Sequence, residues 1–197
     1  MHTFKFSFLV LGALGALVGC QTDGSIGADG LVSGLTAVDE GATRPAAADL
    51  MVVWTVNSGS PDYNYIAGRG QLTDAGFEVE LPSPMPAEAV NSYGVGVGVV
   101  VAMTPGGALP DGRVSDAMDP AVLVGAAPRY AIIYRDPAAT VSSGEGDWMN
   151  LFPVGFSCGV GVAAPPSETF DSYTPVACDT MELRIGDVST FDFVNWT

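Results

Sequence analysis

The sequence predicts an all-β protein built as a single antiparallel β-sandwich. Apolar residues recur in short runs that alternate with polar residues or are continuous over strand length. Clusters of Gly, Pro, Asp and Ser separate these runs. Beyond the N-terminal segment, no stretch longer than about ten residues combines helical apolar spacing with a cap. Many short strands with regular turn residues are typical of a sandwich or a barrel, and we expect the sandwich.

Residues 1–19 have the features of a signal peptide. Lys5 supplies a positive charge, and residues 6–18 form an apolar run of about thirteen residues, which is short for a membrane span. The run ends in Leu-Val-Gly-Cys at residues 17–20. This ending resembles the lipobox of bacterial lipoproteins. The resemblance implies cleavage before Cys20, whose acylated side chain then holds the new N-terminus in the membrane.

A short polar segment follows the cysteine. Residues 20–30 are rich in Gly, Ser, Asp and Ala, so we predict a flexible tether between the lipid and a domain over residues 31–197. In lipoproteins with this signal, Asp directly after the cysteine favours retention in the inner membrane. Gln21 stands there instead, which favours the outer membrane, with the domain periplasmic or exposed at the surface.

The charge of the chain is strongly acidic. Cleavage before Cys20 would remove His2 and Lys5, the only histidine and the only lysine. Six arginines then face 22 carboxylates, a net charge of −16. Nucleic acids and polybasic membrane contacts both require clustered cations, so we expect neither. A solvated acidic surface that keeps the domain soluble is the simpler explanation of the charge.

The predicted strands differ in burial. Residues 50–56 are apolar on both faces and should form a central strand. Residues 77–81 alternate, so one face should be wet, and the prolines at 82, 84 and 86 end that strand. Further strands are predicted at residues 93–103, 122–125, 130–135, 155–162 and 181–185.

The strand over residues 93–103 carries glycine on one face. Tyr93 and a row of valines lie on one side, and Gly94, Gly96 and Gly98 lie on the other. Glycine inside a strand marks close approach by other backbone or by a ligand. Two interpretations therefore stand: close packing beneath a neighbouring element, or a flat floor for a ligand.

Two cysteines remain after the lipidated one. Cys158 and Cys178 form an even pair in an oxidising compartment, so we predict a disulfide between them. A redox or metal site is the alternative. The spacing of the two cysteines does not fit such a site, and the mature chain has no histidine to complete a zinc shell.

A serine nucleophile is disfavoured by the composition. Residues 155–159 match the G-x-S-x-G elbow of hydrolases. The mechanism needs a base, usually histidine and sometimes lysine, and the mature chain has neither. We therefore expect no serine hydrolase.

Carboxylate chemistry is the enzymatic alternative that the composition leaves open. A glycosidase needs two carboxylates across a sugar. Glu78 and Glu80 share one strand face, and Glu145 and Asp147 lie beside Trp148, whose ring could stack on a sugar. Solvated surface acids are the simpler interpretation of both pairs.

One loop brings three aspartates close in sequence. Asp111, Asp116 and Asp119 are weak candidates for calcium ligands, because calcium binds several loop oxygens. The spacing is not that of an EF-hand and no glutamate closes the loop, so a polar surface loop is favoured. We expect no cofactor.

Two looser resemblances concern the domain. The run 77–86, followed by residues 130–134, resembles a prealbumin-like or immunoglobulin-like sandwich. The low lysine content, the abundant Ala, Gly and Val and the Trp-rich β-pattern resemble lipoproteins of myxobacteria. We expect a non-catalytic binding or structural module of the envelope, held by its lipid and meeting an envelope protein or a glycan. The alternative is a carboxylate-based enzyme that acts on glycans.

Overall fold

The computed structural model describes residues 30–55, 64–114, 122–139, 152–160 and 174–186. Within these ranges the chain forms eleven strands and one turn of 3-10 helix over Ala87–Ala89, with no α-helix. The predicted all-β class is therefore confirmed. The strands are β1 (Leu31–Val38), β2 (Asp49–Thr55), β3 (Asn64–Leu72), β4 (Gly76–Glu80), β5 (Val95–Met103), β6 (Gly112–Val114), β7 (Leu123–Ala126), β8 (Tyr130–Arg135), β9 (Gly155–Val160), β10 (Thr174–Val176) and β11 (Met181–Ile185).

Seven of these strands close into a barrel. Their order is β5–β2–β3–β4–β1–β11–β7, and β7 pairs back onto β5. The predicted two-sheet sandwich is not confirmed, because the sheet closes on itself. The expected antiparallel pairing also fails at one place, since β1 and β11 run parallel from Gly34↔Met181 to Val38↔Ile185.

Strand β5 makes the closure possible by using one edge twice. Its first residues, 95–98, pair with β8, and its last residues, 101–103, pair with β7. Between them the Ala127 N–H donates to the Val100 carbonyl over 2.9 Å. Strands β8, β9 and β10 therefore leave the barrel as a three-stranded extension, which we call the arm.

Strand β3 divides in the same way at a bulge. Residues 64–66 pair with β6, and residues 69–72 pair with β4. The register against β2 shifts between Met51 and Val53, where Gly68 has a φ of 106°. A bulge of this kind bends a strand and increases its twist, which lets β3 exchange one neighbour for the next.

Among the described residues, two buried clusters lie on opposite faces of β2 and β5. One fills the barrel and continues beneath the arm, with Leu50, Val52 and Trp54 contributed by β2. The other lies outside the barrel wall, where Met51 and Val53 pack with residues such as Ala108 and Leu109 of the loop after β5. Strand β2 is thus buried on both faces between β3 and β5, as predicted for a central strand.

The predicted disulfide is confirmed. Cys158 of β9 is bonded to Cys178, which lies in the turn between β10 and β11, and both residues are buried. The backbone N–H of Ser33 donates to the carbonyl of Cys178 over 2.9 Å. The disulfide therefore ties the arm to the wall of the barrel where β1 and β11 run side by side.

Candidate functional site

A recess of about 280 Å³ lies on the outer wall of the barrel. We call it the β1–β4–β3 groove. It is lined by Leu31, Arg69, Gly70, Gln71, Glu78 and Glu80.

Strand register brings these side chains together. Arg69 pairs with Glu80, and Glu80 pairs in turn with Leu31. Gln71 pairs with Glu78 one step further along. Directly opposite side chains on one face of a sheet lie within about 5.5 Å at Cβ, so three strands present one continuous polar surface.

The two glutamates point outward because β4 alternates. Phe77 and Val79 are buried in the barrel, whereas Glu78 and Glu80 are exposed. The strand predicted over residues 77–81, with one face exposed to solvent, is therefore confirmed. Side chains two residues apart on a strand share a face at a spacing of about 7 Å. The carboxylates thus stand side by side along one strand.

Among the described residues, Arg69 makes its polar contacts with Asp111 and with two backbone carbonyls rather than with these carboxylates. Its Nη2 lies 2.5 Å from an Asp111 carboxylate oxygen and donates to the Leu109 carbonyl over 2.5 Å, while Nη1 donates to Gly68 over 3.2 Å. Asp111 therefore balances the one cation of the groove. In the part of the chain that the structure describes, neither Glu78 nor Glu80 has an ion pair, so the groove carries an uncompensated negative charge.

An apolar strip borders the acids. Leu31 and Leu35 share the outward face of β1, with exposed fractions of 39% and 67%. On the far side of this strip, Glu182 pairs with Leu35 and is also exposed. The surface therefore offers carboxylates, an amide and apolar contact together, which suits a ligand that carries a positive charge and hydrogen-bond donors.

The groove does not supply the carboxylate geometry of a glycosidase. Such an enzyme holds its sugar between two carboxyl groups. Glu78 and Glu80 are neighbours on one face of a single strand, so they stand side by side rather than facing each other. Glu145, Asp147 and Trp148 lie outside the described residues.

The glycine face of β5 packs against the protein itself. A Cβ at Gly98 would lie 2.9 Å from Cε3 of Trp54, and one at Gly96 would lie 2.5 Å from the Ala89 carbonyl oxygen. Gly94 lies in the turn before β5 with a φ of 74°. Of the two interpretations of these glycines, close packing is the arrangement seen at Gly96 and Gly98.

An aromatic cluster occupies the space over these glycines. The ring centroids of Trp54 and Phe156 are 6.2 Å apart, and those of Phe156 and Tyr134 are 4.8 Å apart. The Trp54 indole N–H donates to the Ala67 carbonyl over 2.8 Å. Burial raises the pKa of the Tyr134 hydroxyl, and the nearby Asp136 carboxylate raises it further.

The calcium candidates do not form a site among the described residues. Asp111 is paired with Arg69, while Asp116 and Asp119 lie outside the described ranges. Across the ranges that the structure covers, no three His, Cys, Asp or Glu side chains are grouped to hold a metal ion.

The G-x-S-x-G motif forms a strand rather than a turn. Ser157 is buried within β9, next to the disulfide-bonded Cys158. A nucleophile elbow requires a sharp strand-to-helix turn, so this motif lacks the local structure of a hydrolase. Cys20, the predicted site of lipidation, lies outside the described residues.

The sequence revealed two of the six residues that line the groove. Glu78 and Glu80 stand out because β4 alternates cleanly. Leu31, Arg69 and Gln71 belong to β1 and β3, which the sequence analysis did not identify as strands, so their pairing with β4 was not expected.

Comparisons with protein-family models, with curated proteins and with solved structures found no match to this chain. In the described part of the chain, no helix has the length and apolar character needed to cross a bilayer.

Proposed function

We propose that this chain is a lipoprotein of the bacterial outer membrane, anchored through acylated Cys20. The apolar run 6–18 and the Leu-Val-Gly-Cys ending support the anchor, and Gln21 supports the outer membrane. The domain lies in the periplasm or at the cell surface.

We further propose that the domain is a non-catalytic binding module whose site is the β1–β4–β3 groove. The observation that carries this proposal is the pair Glu78 and Glu80, uncompensated beside the exposed Leu31. A mature chain without histidine or lysine, and a buried Ser157, favour binding over catalysis.

The chemistry of the groove suggests a cationic glycan or a basic protein segment of the envelope as the ligand. Carboxylates accept hydrogen bonds from ammonium groups, and such charge-assisted bonds are about twice as strong as neutral ones. The Gln71 amide can donate to and accept from hydroxyl groups. An amine-bearing oligosaccharide satisfies both groups, so it is the first ligand class to test.

The anchor is tested by replacing Cys20. The Cys20→Ser variant should incorporate no fatty acid, and metabolic labelling with a radioactive fatty acid measures this directly. Wild-type chain should partition into detergent and carry the label. Fatty-acid label on the Cys20→Ser chain, or its absence from the wild type, would overturn the proposed anchor.

The groove is tested with paired sugars. Oligomers of glucosamine, which carry amines, should bind the full chain, and the matching N-acetylated oligomers should bind at least about tenfold more weakly, since losing one charge-assisted bond costs about 1.5–3 kcal/mol. Titration calorimetry at low and high salt measures both.

Matched variants assign the binding to the groove. Glu78→Gln combined with Glu80→Gln should abolish the preference for amines. Glu40→Gln combined with Glu88→Gln removes two exposed acids that do not line the groove, and it should leave binding unchanged. Equal losses in the two variants would show general charge attraction rather than a site.

A further inference from the structure

The strand directions place three chain segments at one end of the molecule. Going round the sheet, β1, β3 and β5 run one way, and β4, β2 and β8 run the other. Strand β9 is antiparallel to β8 and so runs with β1. The starts of β1, β5 and β9 therefore point to the same end, which we call the tether end because residues 20–30 lead into it.

The disulfide connects β9 to β1, at the fourth residue of β9 and the third residue of β1. Ser33 hydrogen bonds to Cys178, which is bonded to Cys158. Cys158 lies only three residues after Gly155, the first residue of β9. The tether thus joins the domain at the same end of the sheet as the loops that precede β9 and β5.

Exposed apolar side chains occupy these loops. Val95, Arg135 and Gly155 form one row across three neighbouring strands. Tyr93, two residues before this row, is 45% exposed, and Val154, one residue before it, is 56% exposed. Since adjacent strands lie about 4.8 Å apart, these two side chains belong to one patch about 10–15 Å across.

The turn after β8 completes the patch. Asp136 donates its backbone N–H to the Gly94 carbonyl over 2.8 Å, which joins this turn to the loop before β5. Its carboxylate accepts the Ala138 N–H over 2.8 Å. Pro137 and Ala138 are exposed between Tyr93 and Val154. Among the described residues five large apolar side chains are exposed, and three of them, at 31, 93 and 154, belong to the tether end.

We infer that the tether end rests on the lipid bilayer, with Tyr93 and Val154 inserted at the level of the headgroups. The inference rests on the proposed lipid anchor at Cys20. Residues 21–30 span at most about 36 Å even when fully extended, so the anchor holds this end near the membrane. Tyrosine is enriched at membrane interfaces, because its ring is apolar and its hydroxyl can stay hydrated.

The contact is apolar rather than electrostatic. Asp136 lies within the patch, and Arg135 at its edge is directed to the Phe152 carbonyl over 3.0 Å. Vesicles of zwitterionic lipid should therefore hold the patch at least as well as anionic vesicles, and salt should have little effect.

The test places the full, lipidated chain in nanodiscs of phosphatidylethanolamine and phosphatidylglycerol that contain a nitroxide headgroup lipid. Amide signals of residues 92–94, 138–139 and 154 should broaden. Those of residues 73–75 and 106–107, in the turns at the opposite end, should stay sharp. Equal broadening at both ends, or broadening only at the opposite end, would overturn the inference.

Paired variants connect the effect to the two side chains. Tyr93→Ser with Val154→Ser should reduce the broadening at residues 138–139 by at least about half, with the remaining spectrum unchanged. Val38→Ser removes a side chain of similar exposure, 43%, at the end of β1 that points the other way, and it should have no effect. Broadening that persists in the double variant would contradict the inference.

The mass of the N-terminal peptide separates the two ways of failing. A chain that carries no acyl group on Cys20 would overturn the anchor and this inference with it. An acylated chain without broadening at the tether end would overturn this inference alone.

Discussion

The indole of Trp54 packs against β5 at Gly98, where the absence of a side chain leaves room for the ring. The two residues pair across β2 and β5, and a methyl group at Gly98 would lie 2.7 Å from Cγ1 of Val52 as well as close to the indole. The smallest and the largest residue types are thus adjacent by register. Glycine here provides volume for an aromatic ring rather than backbone freedom.

Gly98→Ala should destabilise the fold by about 1–3 kcal/mol, because overpacking a dense core forces side chains out of their preferred rotamers. Urea unfolding measures the change. Trp54→Phe removes part of the indole and its hydrogen bond to Ala67, so it should be destabilising alone. The double variant should lose less stability than the sum of the losses of the two single variants. Strict additivity would contradict the proposed contact.

Tyr134 should make stability fall at high pH. Its folded pKa is raised by burial and then by Asp136, so the folded protein keeps the phenol proton longer than the unfolded chain does. The stabilisation is complete below about pH 10, where unfolded tyrosine ionises, and it is lost as pH rises through the folded pKa. Tyr134→Phe should flatten the slope of the unfolding free energy above about pH 10. An unchanged slope in the Tyr134→Phe variant would show that other groups cause the loss of stability at high pH.

Single strands could be read from the sequence where alternation or continuous apolar character was clean. Strands β8 and β11 begin and end as predicted, at residues 130–135 and 181–185. Strand β1 was missed, because Gly34 replaces an apolar residue on its inward face. A Cβ at Gly34 would lie 1.9 Å from the Met181 carbonyl oxygen, so close strand approach breaks the pattern.

Strand β3 was missed for a second reason. Its bulge at Gly68 shifts the side chains that follow by one position relative to those before. The alternation of apolar and polar residues is lost across such a shift, because residues before and after it that are two apart face opposite sides of the sheet. Gly70, where a Cβ would lie 2.0 Å from the Glu78 carbonyl oxygen, removes a further apolar marker.

The disulfide should stabilise the arm more than the barrel. Replacing both Cys158 and Cys178 by alanine should cost about 3 kcal/mol, given a sequence separation of 20 residues. Hydrogen exchange should rise more in β8 and β9 than in β3 and β4. Reduced wild-type protein should match the variant under the same conditions, and a uniform rise across the whole sheet would contradict a local role.

The closed barrel could not be foreseen from the strands alone. Closure depends on β5 sharing one edge between β7 and β8, and on a parallel contact between β1 and β11. Neither feature can be recognised from a local residue pattern, because both depend on which distant strands pair with each other. The same holds for the groove, where an alternating strand was visible but its neighbours were not.

The whole molecule carries a net charge of −15, so salt should stabilise it by screening repulsion between like charges. Raising sodium chloride from 10 to 300 mM should increase Tm, with about 2–4 °C for each kcal/mol gained. An equal osmolarity of a neutral sugar serves as the control for exclusion effects. A falling Tm would mean that ion pairs such as Arg184–Asp39 outweigh the repulsion.

The parallel pairing of β1 with β11 sets the order of events during folding. Gly34 must wait for Met181, 147 residues later in the chain, before its strand has both neighbours. Synthesis delivers the chain from its N-terminus, so β1 emerges well before β11. Long-range closure of this kind slows folding. Until it occurs, one edge of β1 stays open and can pair with other extended chains, which is a route to misassembly.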